Sequence, residues 1–352
     1  MPARRSRTVR PRRSAPRAPR GKASRASILS ALETIEHDGG SGSIDIAPGR
    51  SLEVSHLDKV FFADVGVTKG DVMRYYTRVA PFMLPTIADR PLVLKRTPDG
   101  VGGELFFQQN APESVPDGVR VENVAAQGEA QRRFVGGDLP TVLHLVQLGC
   151  ISIDPWMSRV GSLDTPDYAI IDLDPGPSAP FKLIVRVARW LEETLSDLGL
   201  HSVPKTSGSR GIHIAIPLPR STSFHVAIAT AQAAAARVVE QHARQTTVER
   251  ALENRPRGAV YVDCLQNARG KSVASAYSVR AKPDATVSAP LKWDEVDDSL
   301  DPREFTTSTM PDRLDRVGDL WRTGLKQGNS ASAVRDASVP ADKRRRTTAG
   351  IR

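Results

Sequence analysis

The chain has 352 residues, 39% apolar and 5% aromatic, with 49 Lys and Arg against 40 Asp and Glu, a net charge of +9; this length suits two domains, or one large domain with tails. The charge is uneven. Residues 1–26 carry ten bases and no acid, residues 331–352 a net +4, and the remainder a net −5, so the high isoelectric point belongs to the ends and does not make the body a nucleic-acid binder. Two cysteines, Cys150 and Cys264, exclude a disulfide scaffold and a Cys-rich zinc site. No apolar run approaches the ~18 residues of a membrane span, and no apolar stretch of the secretory kind follows the N-terminus. A cytoplasmic protein without a membrane partner is expected.

In chain order, residues 1–49 read as a disordered basic arm and linker. Its Arg/Pro/Ser/Ala start is too poor in bulky apolar side chains to offset chain entropy. Tethering to nucleic acid by counterion release and plain solubilisation are equally open for it. A short helix fits 27–36, and Asp38 to Ser43 reads as a Gly-rich linker. The folded body is expected at 50–325. There Thr68 caps a helix over Lys69–Leu84 that places Val72, Tyr76, Val79 and Met83 on one face. Strands fit Leu92–Arg96 and Leu105–Gln108, a buried helix Pro140–Leu148, and a strand Tyr168–Asp174. Pro180–Leu198 is helical, with Leu183, Ile184, Val187, Leu191 and Leu195 at helical spacing. A strand at Gly211–Ile216, an Ala-rich helix at Ser223–His242 and a strand at Ala259–Cys264 follow. Residues 326–352, with Lys343-Arg344-Arg345-Arg346, read as a second disordered basic tail. Strands separated by long helices imply a sheet covered by helices.

The chemistry concentrates in three segments. On a strand, Asp172 and Asp174 point to one face while Ile171 and Leu173 point to the other. Two carboxylates ~6–7 Å apart along a strand repel unless a cation sits between them, and hard oxygens suit Mg²⁺ or Mn²⁺; a solvated strand end is the plain alternative. Asp263 ends a second apolar, β-rich run and would complete a two-metal cluster for phosphoryl transfer, or simply cap its strand. Between them, Thr206-Ser-Gly-Ser-Arg-Gly-Ile-His213 combines glycines whose amides can approach anionic oxygens, an arginine for bidentate grip, and His213 on the polar side of a strand. A triphosphate site is the better reading of that combination. The spacing is not that of a P-loop.

Taken in this order and spacing, Asp172-x-Asp174, Ser207 to His213 and Asp263 resemble the three motifs of the archaeo-eukaryotic primase superfamily, most closely the polymerase domain of bacterial DNA ligase D. His56-Leu-Asp-Lys-Val-Phe61, Thr68-Lys69, Arg90-Pro91, Lys95-Arg96, Phe106-Phe107, Asp154-Pro155-Trp156-x-Ser158-Arg159, Gln266-Asn267, Gly270-Lys271 and Tyr277-Ser278-x-Arg280 extend the likeness over about residues 50–325. The resemblance implies an α+β primase-polymerase fold, with mixed or antiparallel sheets flanked by helices. It implies template-directed addition of NTPs or dNTPs to DNA 3′ ends in gap filling or non-homologous end joining. Asp172, Asp174 and Asp263 would hold two Mn²⁺ or Mg²⁺ ions. Ser207, Arg210 and His213 would hold the triphosphate, with Lys271 and Arg280 making further phosphate contacts. Lys59 and Lys69 would grip the 5′-phosphate of a gap or broken end, and Lys95, Phe106 and Phe107 would face the DNA, where rings stack on bases. Two positions depart from the family: Gln109 stands where Lys is usual and Asp154 where His is usual. Asp154 would either add a metal ligand or repel the triphosphate. These departures motivate an alternative, a weakly active or inactive polymerase fold that binds 5′-phosphorylated ends as an adaptor. There is no Lys-x-Asp-Gly adenylation motif, since Pro98-Asp99-Gly100 lacks the Lys. Ligation is therefore expected from a separate DNA ligase, with Ku as a further candidate partner and the nucleoid as the place of action.

Overall fold

Thr68 starts the longest helix through a reciprocal cap. Its hydroxyl accepts from the Asp71 backbone N–H at 3.0 Å, and the Asp71 carboxylate accepts from the Thr68 N–H at 2.9 Å, which satisfies two of the donors a helix start leaves open. The computed structural model describes residues 23–126 and 129–339. They form α1 (Arg25–His37), the hairpin β1 (Gly42–Ala47) and β2 (Arg50–Val54), the short pair β3 (Val60–Phe62) and β4 (Val67–Thr68), and α2 (Lys69–Ile87). Next come β5 (Leu92–Arg96), β6 (Phe106–Gln108), the hairpin β7 (Val121–Ala126) and β8 (Glu129–Phe134), α3 (Leu139–Gln147) and β9 (Cys150–Pro155). The second half holds β10 (Tyr168–Pro175), α4 (Phe181–Asp197), β11 (Val203–Thr206), β12 (Ile212–Pro217), α5 (Phe224–Gln241), β13 (Thr246–Thr247), β14 (Val260–Asp263), α6 (Met310–Val317), α7 (Leu320–Lys326) and α8 (Ala331–Ser338).

The central sheet has the order β11-β12-β10-β14-β13 and is antiparallel except where β13 meets β14. A three-stranded sheet, β6-β5-β9, stands beside it. One face of the central sheet presents Ile171, Leu173, Ile212, Ile214, Ile216 and Val262 to Leu183, Ile184, Val187, Leu191 and Leu195 of α4 and to the alanines of α5. Full burial of each large apolar side chain contributes roughly 1.5–3 kcal/mol. The other face contributes Tyr168, Ile170 and Ala215 to the core built on α2, α3 and β9. On that second face the apolar packing stops after Ile170, and the next two outward positions on the strand are Asp172 and Asp174.

The expected elements of the body are present with ends shifted by a few residues. The ends of the chain need correction. The expected arm and linker, 1–49, holds α1 and β1, and Ile28, Leu32, Ile44 and Ile46 are buried in the same core as α2. The tail expected from 326 holds α8, whose Val334 is buried under the central sheet's helices. The short helix read at 27–36 is α1, and its apolar i, i+4 pair, Ile28 and Leu32, docks it on the core despite the Arg-rich composition around it. The glycines read as a linker, Gly39 and Gly40, turn the chain at φ +110° and +74° rather than loosening it. The basic stretches 1–22 and 340–352, including Lys343-Arg344-Arg345-Arg346, lie outside the described residues.

Candidate active site

Register assembles the site. Across four adjacent strands, Lys205 (β11) is paired with His213 (β12), His213 with Asp172 (β10), and Asp172 with Asp263 (β14). Directly opposed residues share a face with Cβ atoms about 4.5–5.5 Å apart, so a row of four polar side chains runs across the sheet, with Asp174 one step further out on the same face. Asp263 is held from the far side: its Oδ1 accepts from the Leu265 N–H at 2.7 Å and its Oδ2 from Gln266 Nε2 at 3.1 Å.

The carboxylates repel one another. Asp174 is pushed up to about 6, first by its partial withdrawal from water and then by the charges of Asp172 and Asp263. Burial would also raise Asp172, but His213, then Lys205 and Arg280, hold it below the usual carboxylate range. Asp172 Oδ1 lies 3.2 Å from His213 Nε2 without the alignment of a hydrogen bond, and is buried with no hydrogen-bond partner. A buried carboxylate oxygen left open beside two further carboxylates fits a hard divalent cation. Among the described residues, no three His, Cys, Asp or Glu side chains gather tightly enough to enclose an ion unaided. That is the expected state for Mg²⁺ or Mn²⁺ taking one or two carboxylates and completing its shell with water and substrate phosphate. Asp174→Asn is expected to stabilise the metal-free protein by up to about 1 kcal/mol, since the exposed position screens the repulsion it removes. Calorimetry in chelator, at pH 7.5 and at pH 5, checks this. The gain shrinks at the lower pH, because Asp174 is then protonated and already neutral.

Over the row lies a polar cleft of about 350 Å³, lined by Asp172, Asp174, Ser207, Arg210, His213, Arg255, Arg280 and Lys282 among others. The Ser207–Gly211 loop makes its wall. Ser207 Oγ accepts from the N–H groups of Ser209 and Gly211, both at 3.1 Å. A Cβ at Gly211 would sit 2.3 Å from the Leu173 carbonyl oxygen, and one at Gly208, where φ is +68°, would sit 2.5 Å from Arg280 Cγ. Only glycine therefore lets the loop close over the strand end. Arg280 Nη1 donates to the Ser207 carbonyl at 2.5 Å, which ties the loop to the strand-like segment after Ser278. Four bases against two carboxylates make a cleft that suits a polyphosphate carrying its own cations.

Ser207, Arg210, His213 and Arg280 thus line one cleft with Asp172 and Asp174. Lys271 does not line this cleft and is exposed. Sequence reasoning missed Lys205, Arg255 and Lys282. Arg255 stacks over the Tyr261 ring at 3.8 Å, reaching the cleft from a loop whose sequence carries no signal of it. Lys205 is buried, and its pKa is pushed down to about 7 by burial and then by Arg280.

The remaining anticipated residues lie outside this cleft. Lys69 opens α2, and its Nζ donates to the Ser55 carbonyl at 2.8 Å. Its pKa is lowered to about 8, first by burial and then by neighbouring Lys59, whose own Nζ lies 2.6 Å from Asp99 Oδ1. Two ammonium groups repelling at a helix start suit an anion. Phe106 and Phe107, on β6, are 45% and 68% exposed, an unusual expenditure of ring surface that suits stacking. Gln109 Oε1 accepts from Arg133 Nη2 at 2.9 Å.

Asp154 neither lines the cleft nor adds to the carboxylate row. It is fully buried on β9, its Oδ2 lies 2.8 Å from Lys95 Nζ, and its Oδ1 accepts from Ser152 Oγ at 2.8 Å. Burial opposes its charge, but Lys95 and then Arg280 hold its pKa below the usual range. Lys95, anticipated as a DNA contact, spends its charge on Asp154.

The family described as the LigD primase-polymerase domain matches residues 68–321. The multifunctional non-homologous end joining protein LigD of Pseudomonas aeruginosa is 31% identical over 293 residues, 81% of this chain and 34% of that protein. The bifunctional protein LigD of Bacillus subtilis is 33% identical over 285 residues, 80% of this chain and 46% of that one. The chain therefore spans between a third and a half of the length of these relatives. Among solved structures, the polymerase domain of Mycobacterium tuberculosis ligase D in complex with DNA superimposes with a TM-score of 0.72 at 29% identity, covering 79% of this chain and 99% of that one. Matched to that family over most of its length, this chain belongs to the LigD primase-polymerase domain family.

Proposed function

We propose that the protein is a template-directed nucleotidyltransferase that adds NTPs or dNTPs to DNA 3′ ends during gap filling or non-homologous end joining. The observation that carries the proposal is the juxtaposition of Asp172, Asp174 and Asp263 with a basic, glycine-walled cleft. When bound at these carboxylates, two divalent ions would lower the pKa of the attacking 3′-hydroxyl and offset the charge developing on the α-phosphate as pyrophosphate leaves. Arg210, Arg255, Arg280 and Lys282 neutralise and orient the triphosphate. The glycine-walled loop lets the triphosphate approach the strand end, and His213 faces it from the sheet. Phe106 and Phe107 offer stacking surfaces to the nucleic acid.

The test is primer extension on a gapped, 5′-phosphorylated duplex with NTPs or dNTPs and Mn²⁺. Template-dependent addition is expected, and binding without addition would favour the adaptor. The pairing of Asp154 with Lys95 supports the enzyme reading, because the carboxylate that motivated the adaptor is neutralised away from the triphosphate. DNA ends are the proposed partner, with a ligase activity and Ku completing repair at the nucleoid. Among the described residues no helix is long and apolar enough to cross a membrane.

Lys59 and Lys69 are assigned to the 5′-phosphate. Lys69→Ala is expected to reduce the preference for a phosphorylated over a hydroxyl 5′ end by about tenfold, the value of one charge-assisted contact of about 1.5 kcal/mol. Competition binding with the two duplexes measures it, and a preference unchanged within twofold would remove Lys69 from that role.

A further inference from the structure

We infer that Lys205 is a positioning residue: it fixes which ring nitrogen of His213 carries the hydrogen, so that the imidazole turns an N–H, and not a lone pair, toward the carboxylate row. Lys205 is 1% exposed, and its Nζ has three neighbours: the Ala274 carbonyl at 3.0 Å, Ser288 Oγ at 2.6 Å and His213 Nδ1 at 2.8 Å. The Ser288 hydroxyl donates its own hydrogen to the Thr206 carbonyl at 2.7 Å, so toward Lys205 it accepts. The Ala274 carbonyl has no hydrogen to give. An ammonium has three N–H groups and no lone pair. Below about pH 7, where Lys205 is the ammonium, two of these are committed and the third meets Nδ1, which is therefore bare.

A neutral imidazole carries one N–H, which places it on Nε2, 3.2 Å from Asp172 Oδ1. The other tautomer would set two hydrogens against each other at Nδ1 and two lone pairs against each other at Nε2. The consequence is chemical. A histidine turning a lone pair into this cleft would be a metal ligand, competing with the carboxylates and favouring softer ions. Turning an N–H, it is a donor to anions and steadies Asp172. Lys205 acts through His213 and itself touches neither substrate nor reacting atoms.

The consequence for metal use rests on the polymerase reading; the tautomer does not. The chain has seven histidines, so long-range proton–nitrogen correlation on protein labelled with ¹⁵N-histidine resolves the ring nitrogens, with His213 identified by its absence from His213→Gln. In metal-free wild-type protein at pH 6.5, His213 is expected with Nε2 protonated and Nδ1 bare. In Lys205→Met, which keeps length but donates nothing, both tautomers are expected to appear. Nδ1 protonated in the wild type, alone or with Nε2, overturns the inference even if the variant fails to fold. An unchanged tautomer in a folded Lys205→Met overturns it as well. In primer extension at the same pH, the Mn²⁺ concentration for half-maximal rate is expected to rise about 10-fold in Lys205→Met, as on losing a group that steadies the ligand Asp172 through His213. If wild-type protein does not extend at all, the polymerase reading falls while the spectra still decide on Lys205. If it extends and the spectra contradict the assignment, Lys205 alone is misassigned.

Discussion

Asp172→Asn is expected to abolish nucleotide addition, lowering kcat by about 10³-fold or more, while leaving the protein folded. The side chain occupies the middle of the polar row, opposed by His213 on one side and Asp263 on the other. Its buried Oδ1 has no hydrogen-bond partner of its own. Asn keeps the shape and removes the charge that would hold a divalent ion, so the loss falls on chemistry and not on the sheet. Primer extension with saturating nucleotide and Mn²⁺ gives the rate, and calorimetry gives the stability. A variant that extends within tenfold of the wild type would show that the carboxylate row is not the reaction centre. Binding to the gapped duplex is expected to persist, since the lysines and phenylalanines assigned to DNA lie elsewhere.

The largest stability effect is expected at Lys95. Lys95→Met leaves Asp154 buried without its ammonium partner, and removing one member of a buried pair costs about 3–5 kcal/mol. The lower end applies, because Lys95 is 34% exposed and Ser152 and Arg280 still favour the carboxylate. The pH dependence has a definite sign. In the wild type the pKa of Asp154 is lowered, so the pair's contribution is present above the ordinary Asp value and is lost only as pH falls through the folded one. In Lys95→Met burial dominates and raises that pKa, so the defect is full at pH 7 and shrinks toward pH 5 as Asp154 takes up a proton. Adding Asp154→Leu should recover most of the lost stability, because an apolar side chain suits the site once the charge is gone. Chemical denaturation of the two single variants and the double variant measures the coupling. Additive effects would show that the pair does not interact.

The sequence by itself determined the segments that carry the chemistry. Asp172 and Asp174 declare a shared face through period-two alternation with Ile171 and Leu173. The Thr68 cap, the α4 stripe and the Gly/Ser loop are local patterns, readable because each depends on residues a few positions apart. Motif order alone was enough to suggest the family. Tertiary structure decided everything that depends on register between distant strands. Lys205, between Pro204 and Thr206, shows nothing in sequence. Only the pairing of β11 with β12 puts it behind His213 and aims its third N–H at the ring. Asp154, at a position where the family carries histidine, could be read as ligand or as obstacle until the pairing of β5 with β9 set Lys95 against it. Composition misjudged the ends because ten arginines and lysines outweigh two apolar side chains in an average, whereas burial responds to where Ile28 and Leu32 point. Charge and propensity are local sums; a site is made by the directions in which separate segments face one another, and those are fixed only when the sheet closes.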